Sequence, residues 1–444
     1  MKVLKFGGTS VGKPERMHHI AQLVNNSEKK VVVLSALSGT TNSLVNIASH
    51  LAHSRKKEAM AEIEKLRTHY ETFIKELYKK DETYMRGVQI IGAHFGFIET
   101  LIEMEGEGFT LKKERELLAQ GELLSTKLFH NYMVEVEIPA VLISALNFMR
   151  VDEFHEPRLG IIEQKIKEEL SQHPDGVIFI TQGYICKNAN NEVDNLKRGG
   201  SDFTASLVGA ALQASEIQIW TDIDGMHNND PRIVDKTYPI AELSFEEAAE
   251  LAYFGAKILH PATIHPARKF NIPVRLKNTM QPEAEGTIIR EIPDEQEQVK
   301  AVAAKDNIVA IKIKSSRMLL AFGFLRKIFE VFEQYKTPID MITTSEVAVS
   351  LTIDDDTFLH EITEEIKKIA TIEVEENQTI VCVVGYFPYS QSGLAVDLFE
   401  AVKGIPIRMI SYGASLHNIS LLIDTKDKER FLQALNDGLF MRGK

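Results

Sequence analysis

Near its C-terminal end the sequence repeats itself once. Phe329-Glu330 is echoed by Phe399-Glu400, Pro338-Ile339-Asp340-Met341-Ile342 by Pro406-Ile407-Arg408-Met409-Ile410, and Ile353-Asp354 by Ile423-Asp424. An offset of roughly 70 residues is too long for a solenoid repeat and suits a duplicated small domain. The first copy reads strand 309–314, helix 324–335, strand 339–344, strand 347–353, helix 357–370 and strand 372–375, a βαββαβ unit. The second copy has a helix near 426–435 but no evident last strand. Residues 299–303 are an unclaimed strand that fills the gap if the two copies interleave.

The N-terminal part follows a different grammar. Val3-Leu4-Lys5-Phe6 and Val31-Val32-Val33-Leu34 are short apolar strands, each followed by a glycine-bearing loop and a helix. Pro14 opens the first full helix, where its missing N–H costs nothing. Further buried strands are expected at 177–181, 217–221 and 273–277. Short strands feeding helices indicate an α/β sheet, whose ligands bind beyond the carboxyl ends of the strands. Between them, residues 54–87 carry Met60, Ile63, Leu66, Tyr70, Phe73, Ile74 and Leu77 at helical spacing, which predicts one amphipathic helix. The stretch 281–298, rich in Glu, Pro and Gly, marks a domain boundary, giving an N-terminal domain 1–295 and a C-terminal region 296–444. Within that region the copies span about 309–376 and 377–444.

A net charge of −12 opposes binding to nucleic acid or anionic lipid, and no long Lys/Arg block offsets it. Cys186 and Cys382 have no metal-ligand or redox spacing, so a reducing cytoplasm is expected. No signal segment opens the chain and no apolar run approaches the ~18 residues of a membrane span.

Candidate chemistry lies at the strand ends. Lys5-Phe6-Gly7-Gly8-Thr9-Ser10 sets a lysine beside two glycines, which suits a phosphate. Gly7, Gly12 and Lys13 satisfy a Walker spacing, but Pro14 replaces the required Ser/Thr. In Arg198-Gly199-Gly200-Ser201-Asp202 the guanidinium suits a carboxylate, while Asp202 would equally serve as a helix cap. Thr221-Asp222-Ile223-Asp224-Gly225 ends a strand and precedes Arg232. His260 and His265 have no acidic or cysteine partner at ligand spacing, so no protein metal site is expected.

Taken in order, KFGGTSVG, SALSGTTN, QGELLST, LKRGGSD, WTDIDGMHNNDPR and FGAKILHP closely resemble aspartate kinases of the amino-acid kinase superfamily. The resemblance covers almost the whole chain, because those enzymes end in tandem ACT domains of the βαββαβ type. It implies a three-layer amino-acid kinase fold with a mainly parallel sheet, followed by two ACT domains. The chain ends at Lys444 without the homoserine dehydrogenase domain fused to some members, so a monofunctional enzyme is expected.

The implied reaction is ATP- and Mg2+-dependent phosphorylation of the side-chain carboxylate of L-aspartate. By resemblance, Lys5 contacts the transferring phosphoryl, Gly7 and Gly8 cradle it, and Asp202 organises Lys5 or the metal. Thr41, Glu122, Arg198, Gly199, Gly200 and Ser201 hold aspartate, with Glu122 on its α-ammonium. Thr221, Asp222, His227, Arg232, Lys257 and Ile258 serve ATP, although His227 stands where the family often has Tyr. Met318, Gly323, Phe324, Leu325, Asp340, Thr344, Ser345 and Glu346 fall at the effector contacts of lysine-sensitive members. Ala321 and Pro338 replace serines common there, which leaves L-threonine as the alternative effector. Pairing through ACT domains implies a homodimer or homotetramer. The competing functions are an amino-acid kinase with another acceptor and a non-catalytic amino-acid sensor.

Overall fold

The computed structural model describes residues 1–103, 108–174, 176–196, 199–255, 261–291, 299–315, 322–388 and 393–441. They divide into two compact units. The first comprises residues 1–226, 241–245 and 259–293; the second comprises 227–240, 246–258 and 294–444.

The strands of the first unit are β1 (Lys2–Phe6), β2 (Lys30–Leu34), β3 (Ala140–Leu142), β4 (Ile178–Gln182), β5 (Ile185–Lys187), β6 (Val193–Asn195), β7 (Glu216–Thr221), β8 (Glu242–Ser244), β9 (Val274–Asn278) and β10 (Thr287–Arg290). Eight of them form one sheet in the order β3-β4-β2-β1-β7-β9-β10-β8, parallel except for β9–β10; β5 and β6 form a small separate hairpin. All five residues of β2 and of β4 are buried. Val32 and Leu34 join a core with helices 14–24, 40–52, 56–77 and 120–135, while Val31 and Val33, of opposite pleat, are buried too. A sheet covered on both faces has to be apolar at every position, which is why these strands read as unbroken runs. Winding reverses at β1: β2 and β4 lie to one side, and β7 and β9 to the other.

The single helix expected over 54–87 is two helices, Lys56–Leu77 and Asp81–Glu103. The break is held from elsewhere in the chain. Tyr78 turns extended and its hydroxyl donates to the Leu128 carbonyl at 2.8 Å, while the Lys79 and Lys80 amides donate to the buried Glu135 carboxylate at 2.9 and 3.2 Å. A Cβ on Gly87 would lie 2.5 Å from the Tyr78 ring, so the glycine lets the second helix close on the break. Likewise, the expected glycine turn at Gly7-Gly8 ends at Gly7, and a four-residue helix begins at Gly8.

In the second unit, strands β11 (Val299–Lys314), β12 (Ile342–Thr344), β13 (Ala348–Ile353), β14 (Thr371–Gly385), β15 (Met409–Tyr412) and β16 (Asn418–Asp424) form one sheet, ordered β12-β13-β11-β14-β16-β15. The unclaimed 299–303 segment is the front half of β11 and pairs with the back half of β14, among the strands of the second copy. The rear of β11 pairs with the front of β14 and with β13, among those of the first. The first copy therefore has its four strands within 309–376, and only the second completes its set with a strand from outside its own span, the 299–303 segment that precedes the first copy. Asn307 and Asn377 both take positive φ (60° and 57°) near the middle of the two long strands, a conformation asparagine tolerates better than most residues. Two separate cores form, one around Ile311, Phe332 and Ile353, the other around Val383, Leu398 and Phe431.

Candidate active site

The loops after β1, β2 and β4 meet the N-terminus of helix Gly200–Leu212 at the reversal point beside β1. The Lys5 ammonium lies 2.7 Å from Asp202 Oδ1, both side chains largely buried. A Cβ on Gly7 would stand 3.3 Å from that ammonium, and one on Gly8 3.2 Å from the Ala36 carbonyl, so glycine keeps the first loop open to a ligand. Ser35 donates its amide to the Phe6 carbonyl at 3.1 Å, tying the β1 and β2 loops together.

Glu122 sits in the first turn of helix Gln120–Glu135 and is 4% exposed. Its Oε1 accepts from the Ala36 amide at 3.3 Å, and among the described residues Oε2 has no hydrogen-bond partner. Burial pushes the Glu122 carboxyl up to about 8, only partly offset by the amide. A buried carboxylate without a cation is costly, and the defect is relieved by a positive ligand. Gly121 permits this approach: a Cβ there would lie 2.9 Å from the Ala36 side chain.

Gly199 takes φ +74° and starts helix 200–212, whose free N–H groups end at the loop cluster and suit an anion. Ser201 is packed so closely that a Cβ on Gly183 would lie 2.5 Å from its Oγ. Gly183 was not singled out in the sequence; a lone glycine after a strand carries no signal until its partner 18 residues on is known. Thr41 is exposed in the first turn of helix Thr40–Ala52, whereas its buried neighbour Thr40 bonds the Tyr70 hydroxyl at 3.0 Å. Arg198, Lys257, Ile258 and Met318 lie outside the described residues.

Thr221 and Asp222 end β7, beside β1, with the Thr221 hydroxyl donating to Asp222 at 3.0 Å. In the second unit His227 shares a hydrogen bond with the Thr237 hydroxyl, 3.0 Å. The exposed Arg232 clamps Asp230 through two bonds of 2.9 and 2.7 Å. Gly255, at φ +132°, lies against β11, where a Cβ would strike the Ala304 carbonyl at 2.4 Å.

The expected effector residues form two groups. Gly323, at φ +82°, caps the helix that begins with Phe324 and Leu325. Thr344, Ser345 and Glu346 sit exposed at the turn between β12 and β13, and Ser315 donates its amide to the adjoining Val347 carbonyl. Asp340 differs from Glu346 in being engaged. Its Oδ1 accepts from Tyr253 at 2.5 Å and from Lys305 at 2.9 Å, and Lys305 also pairs with Asp354 at 2.8 Å. Lys305 was absent from the sequence-based set, since nothing local distinguishes it from other strand lysines.

Among the described residues no three His, Cys, Asp or Glu side chains cluster to hold a metal. Asp202, paired with Lys5, is a hard oxygen donor of the kind that magnesium takes.

A family model for the amino acid kinase family matches residues 1–278, and one for the ACT domain matches residues 381–439. Aspartokinase 1, chloroplastic, of Arabidopsis thaliana is 35% identical over 467 residues, spanning 99% of this chain and 80% of its own. Lysine-sensitive aspartokinase 3 of Escherichia coli (strain K12) is 34% identical over 456 residues, 99% of either chain. The crystal structure of E. coli aspartokinase III with aspartate and ADP matches at a TM-score of 0.84 and 33% identity, covering 99% of this chain and 100% of that one. The structure of that enzyme with lysine and aspartate gives the same score.

Proposed function

The chain belongs to the amino acid kinase family, among its aspartokinases, and from that premise we propose which of its residues carry the reaction. It phosphorylates aspartate. The acceptor carboxylate is already ionised at neutral pH, so no general base is needed. Catalysis reduces to aligning two anions and stabilising charge on the transferring phosphoryl. Lys5 meets that phosphoryl, held in place by Asp202. Gly7 and Gly8 leave their backbone open to the phosphates. Arg198 and the Gly199–Ser201 segment take a carboxylate of aspartate, and Glu122 takes the α-ammonium. Thr221, Asp222, His227, Arg232, Lys257 and Ile258 serve the nucleotide, and Thr41 the amino acid. Asp202 is the residue that would hold magnesium, which would supply neutralisation of phosphate charge. The catalytic domain is residues 1–295 and the regulatory ACT region 296–444.

The observation that carries this reading is the buried Glu122 carboxylate with an unpartnered oxygen, which suits a zwitterionic amino acid and not a nucleoside monophosphate. A coupled assay offering aspartate, glutamate, acetylglutamate and UMP tests it. Phosphorylation of aspartate alone is expected; a preference for any of the others would overturn the assignment.

L-Lysine is the proposed inhibitor, with the loop at Gly323–Leu325 and Met318 taking its α-carboxylate end and the 345–346 turn its ammonium. Because Lys305 neutralises Asp340, Glu346 is the freer ammonium acceptor. Edge strands β12 and β15, with Ile342, Ile410 and Tyr412 exposed, support ACT-mediated homodimers or homotetramers. A cytoplasmic location is supported by two buried, unpaired cysteines.

A further inference from the structure

Soon after β7 ends at Thr221, the chain enters the loop 227–240, which carries His227 and Arg232 and belongs to the second unit. The two limbs of this loop run side by side. His227 bridges Pro239, the Asn228 amide donates to the Tyr238 carbonyl at 3.0 Å, and the Tyr238 amide donates back to Asn228 Oδ1 at 2.8 Å. Val234 is fully buried in the core that holds Phe431, Leu432 and Leu435, and Ile233 and Tyr238 pack against it. Arg232, by contrast, projects into solvent with its side chain 82% exposed. Asp230 orients it, accepting from its guanidinium and from its backbone amide.

The loop is fastened to the last turns of the second ACT copy. Helix Lys428–Leu435 runs on into a wider π-helical turn, Asn436–Phe440, which Asn436 opens. Asn228 and Asn436 are both fully buried. Asn228 Nδ2 donates to Asn436 Oδ1 at 3.4 Å, and Asn436 Nδ2 donates to the Lys236 carbonyl at 3.3 Å. One side chain thus grips both limbs of the loop. Asn229 Nδ2 adds a bond to the Leu432 carbonyl at 3.2 Å, and the Tyr238 ring meets that of Phe440 edge-on at 6.2 Å. Position 436 has to accept on one side and donate on the other, which asparagine does with two separate atoms. Two buried amides each cost stability if a partner is lost, so the pair holds the loop to one path. Loops that carry binding residues need such rigid support, and π-helical turns recur at functional sites.

We propose that Asn436 is a positioning residue for the nucleotide. Through Asn228 and the Lys236 carbonyl it fixes the loop that presents Arg232, so the second ACT copy helps to set ATP affinity even with no effector bound. This rests on the assignment of His227 and Arg232 to ATP.

Steady-state kinetics without lysine, with calorimetric titration of MgADP into the full chain, test it. Asn436→Asp keeps the shape of the side chain but turns the donor facing the Lys236 carbonyl into an acceptor. KM for ATP and the dissociation constant of MgADP are expected to rise about tenfold, as for one buried hydrogen bond lost. KM for aspartate and kcat at saturating substrates should not change. Phe440→Leu puts no charge in the core, so it decides the matter if the first variant fails to fold. It should raise both nucleotide constants about threefold, through loss of the ring contact with Tyr238. Unchanged nucleotide constants in both variants would overturn the proposal. So would kcat and both KM values moving together, the mark of a fold loosened at large. Arg232→Gln separates the proposal from its premise. A rise in KM for ATP there, with none in the other two variants, refutes the role of Asn436 alone; no rise in any of the three refutes the assignment of the loop to ATP as well.

Discussion

Glu122 in the first unit and Asp340 in the second are both buried carboxylates to which the family resemblance assigns an amino-acid ligand, but their surroundings differ. Among the described residues Glu122 has the Ala36 amide at 3.3 Å and no cation paired with it, and burial is what raises its pKa. Asp340 has the Lys305 ammonium at 2.9 Å and the Tyr253 hydroxyl at 2.5 Å, and Lys305 stands 4.2 Å from the Tyr253 ring centre. A carboxylate awaiting a positive ligand has to be left short of positive charge, and the protein bears that cost only where the ligand repays it. Glu122 meets that description. Asp340 does not: it ties Tyr253, two residues before Gly255, to the strand that carries Lys305.

The largest effect that would sharpen this contrast comes from the catalytic side. Lys5→Ala removes a charge expected to matter most in the transition state, and kcat should fall by about 10³-fold or more. Circular dichroism should be unchanged, because Asp202 is left beside a partly exposed loop. Turnover near that of the wild type would refute the role of Lys5.

On the effector side, Glu346→Gln should raise the half-inhibitory lysine concentration by about tenfold, the loss of a charge-assisted pair. Lys305→Met should act in the opposite sense by a few-fold, since it frees Asp340 as a second seat for the ammonium. Inhibition assays at fixed aspartate and ATP read both. If Glu346→Gln leaves inhibition unchanged while Asp340→Asn abolishes it, the assignment of the two carboxylates is reversed.

Much of this was legible in the sequence, for definite reasons. Lys5, Gly7 and Gly8 fall within four consecutive residues at the end of a buried strand, so their proximity is visible locally. The ACT repeat was visible because its two copies preserve apolar spacing about 70 residues apart. What the sequence hid depends on distant partners. The helix break at Tyr78 is fixed by Glu135 and Leu128, 50 residues and more away, so helical periodicity ran straight through it. Gly183 acquires a purpose only against Ser201, and Lys305 only against Asp340 and Asp354. The continuous β11 was hidden for another reason: its midpoint at Asn307 is polar and in the left-handed region, and reads as a turn.

The central claim, that Glu122 is a carboxyl held neutral until the substrate's ammonium arrives, makes a prediction about protons. With its pKa raised to about 8 by burial, Glu122 in the free enzyme is mostly protonated at pH 7. The sign for stability follows: the folded state holds a proton that the unfolded chain releases above about 4.5, so this group's contribution is lost as pH rises from there through 8. For binding, the ammonium favours the ionised form, so Glu122 gives up its proton as aspartate enters. Isothermal titration of aspartate at pH 7, in buffers of different ionisation enthalpy, counts that proton directly. The account predicts release of close to one proton per aspartate in the wild type and almost none in Glu122→Gln, whose KM for aspartate rises. Aspartate binding without proton release in the wild type would contradict it.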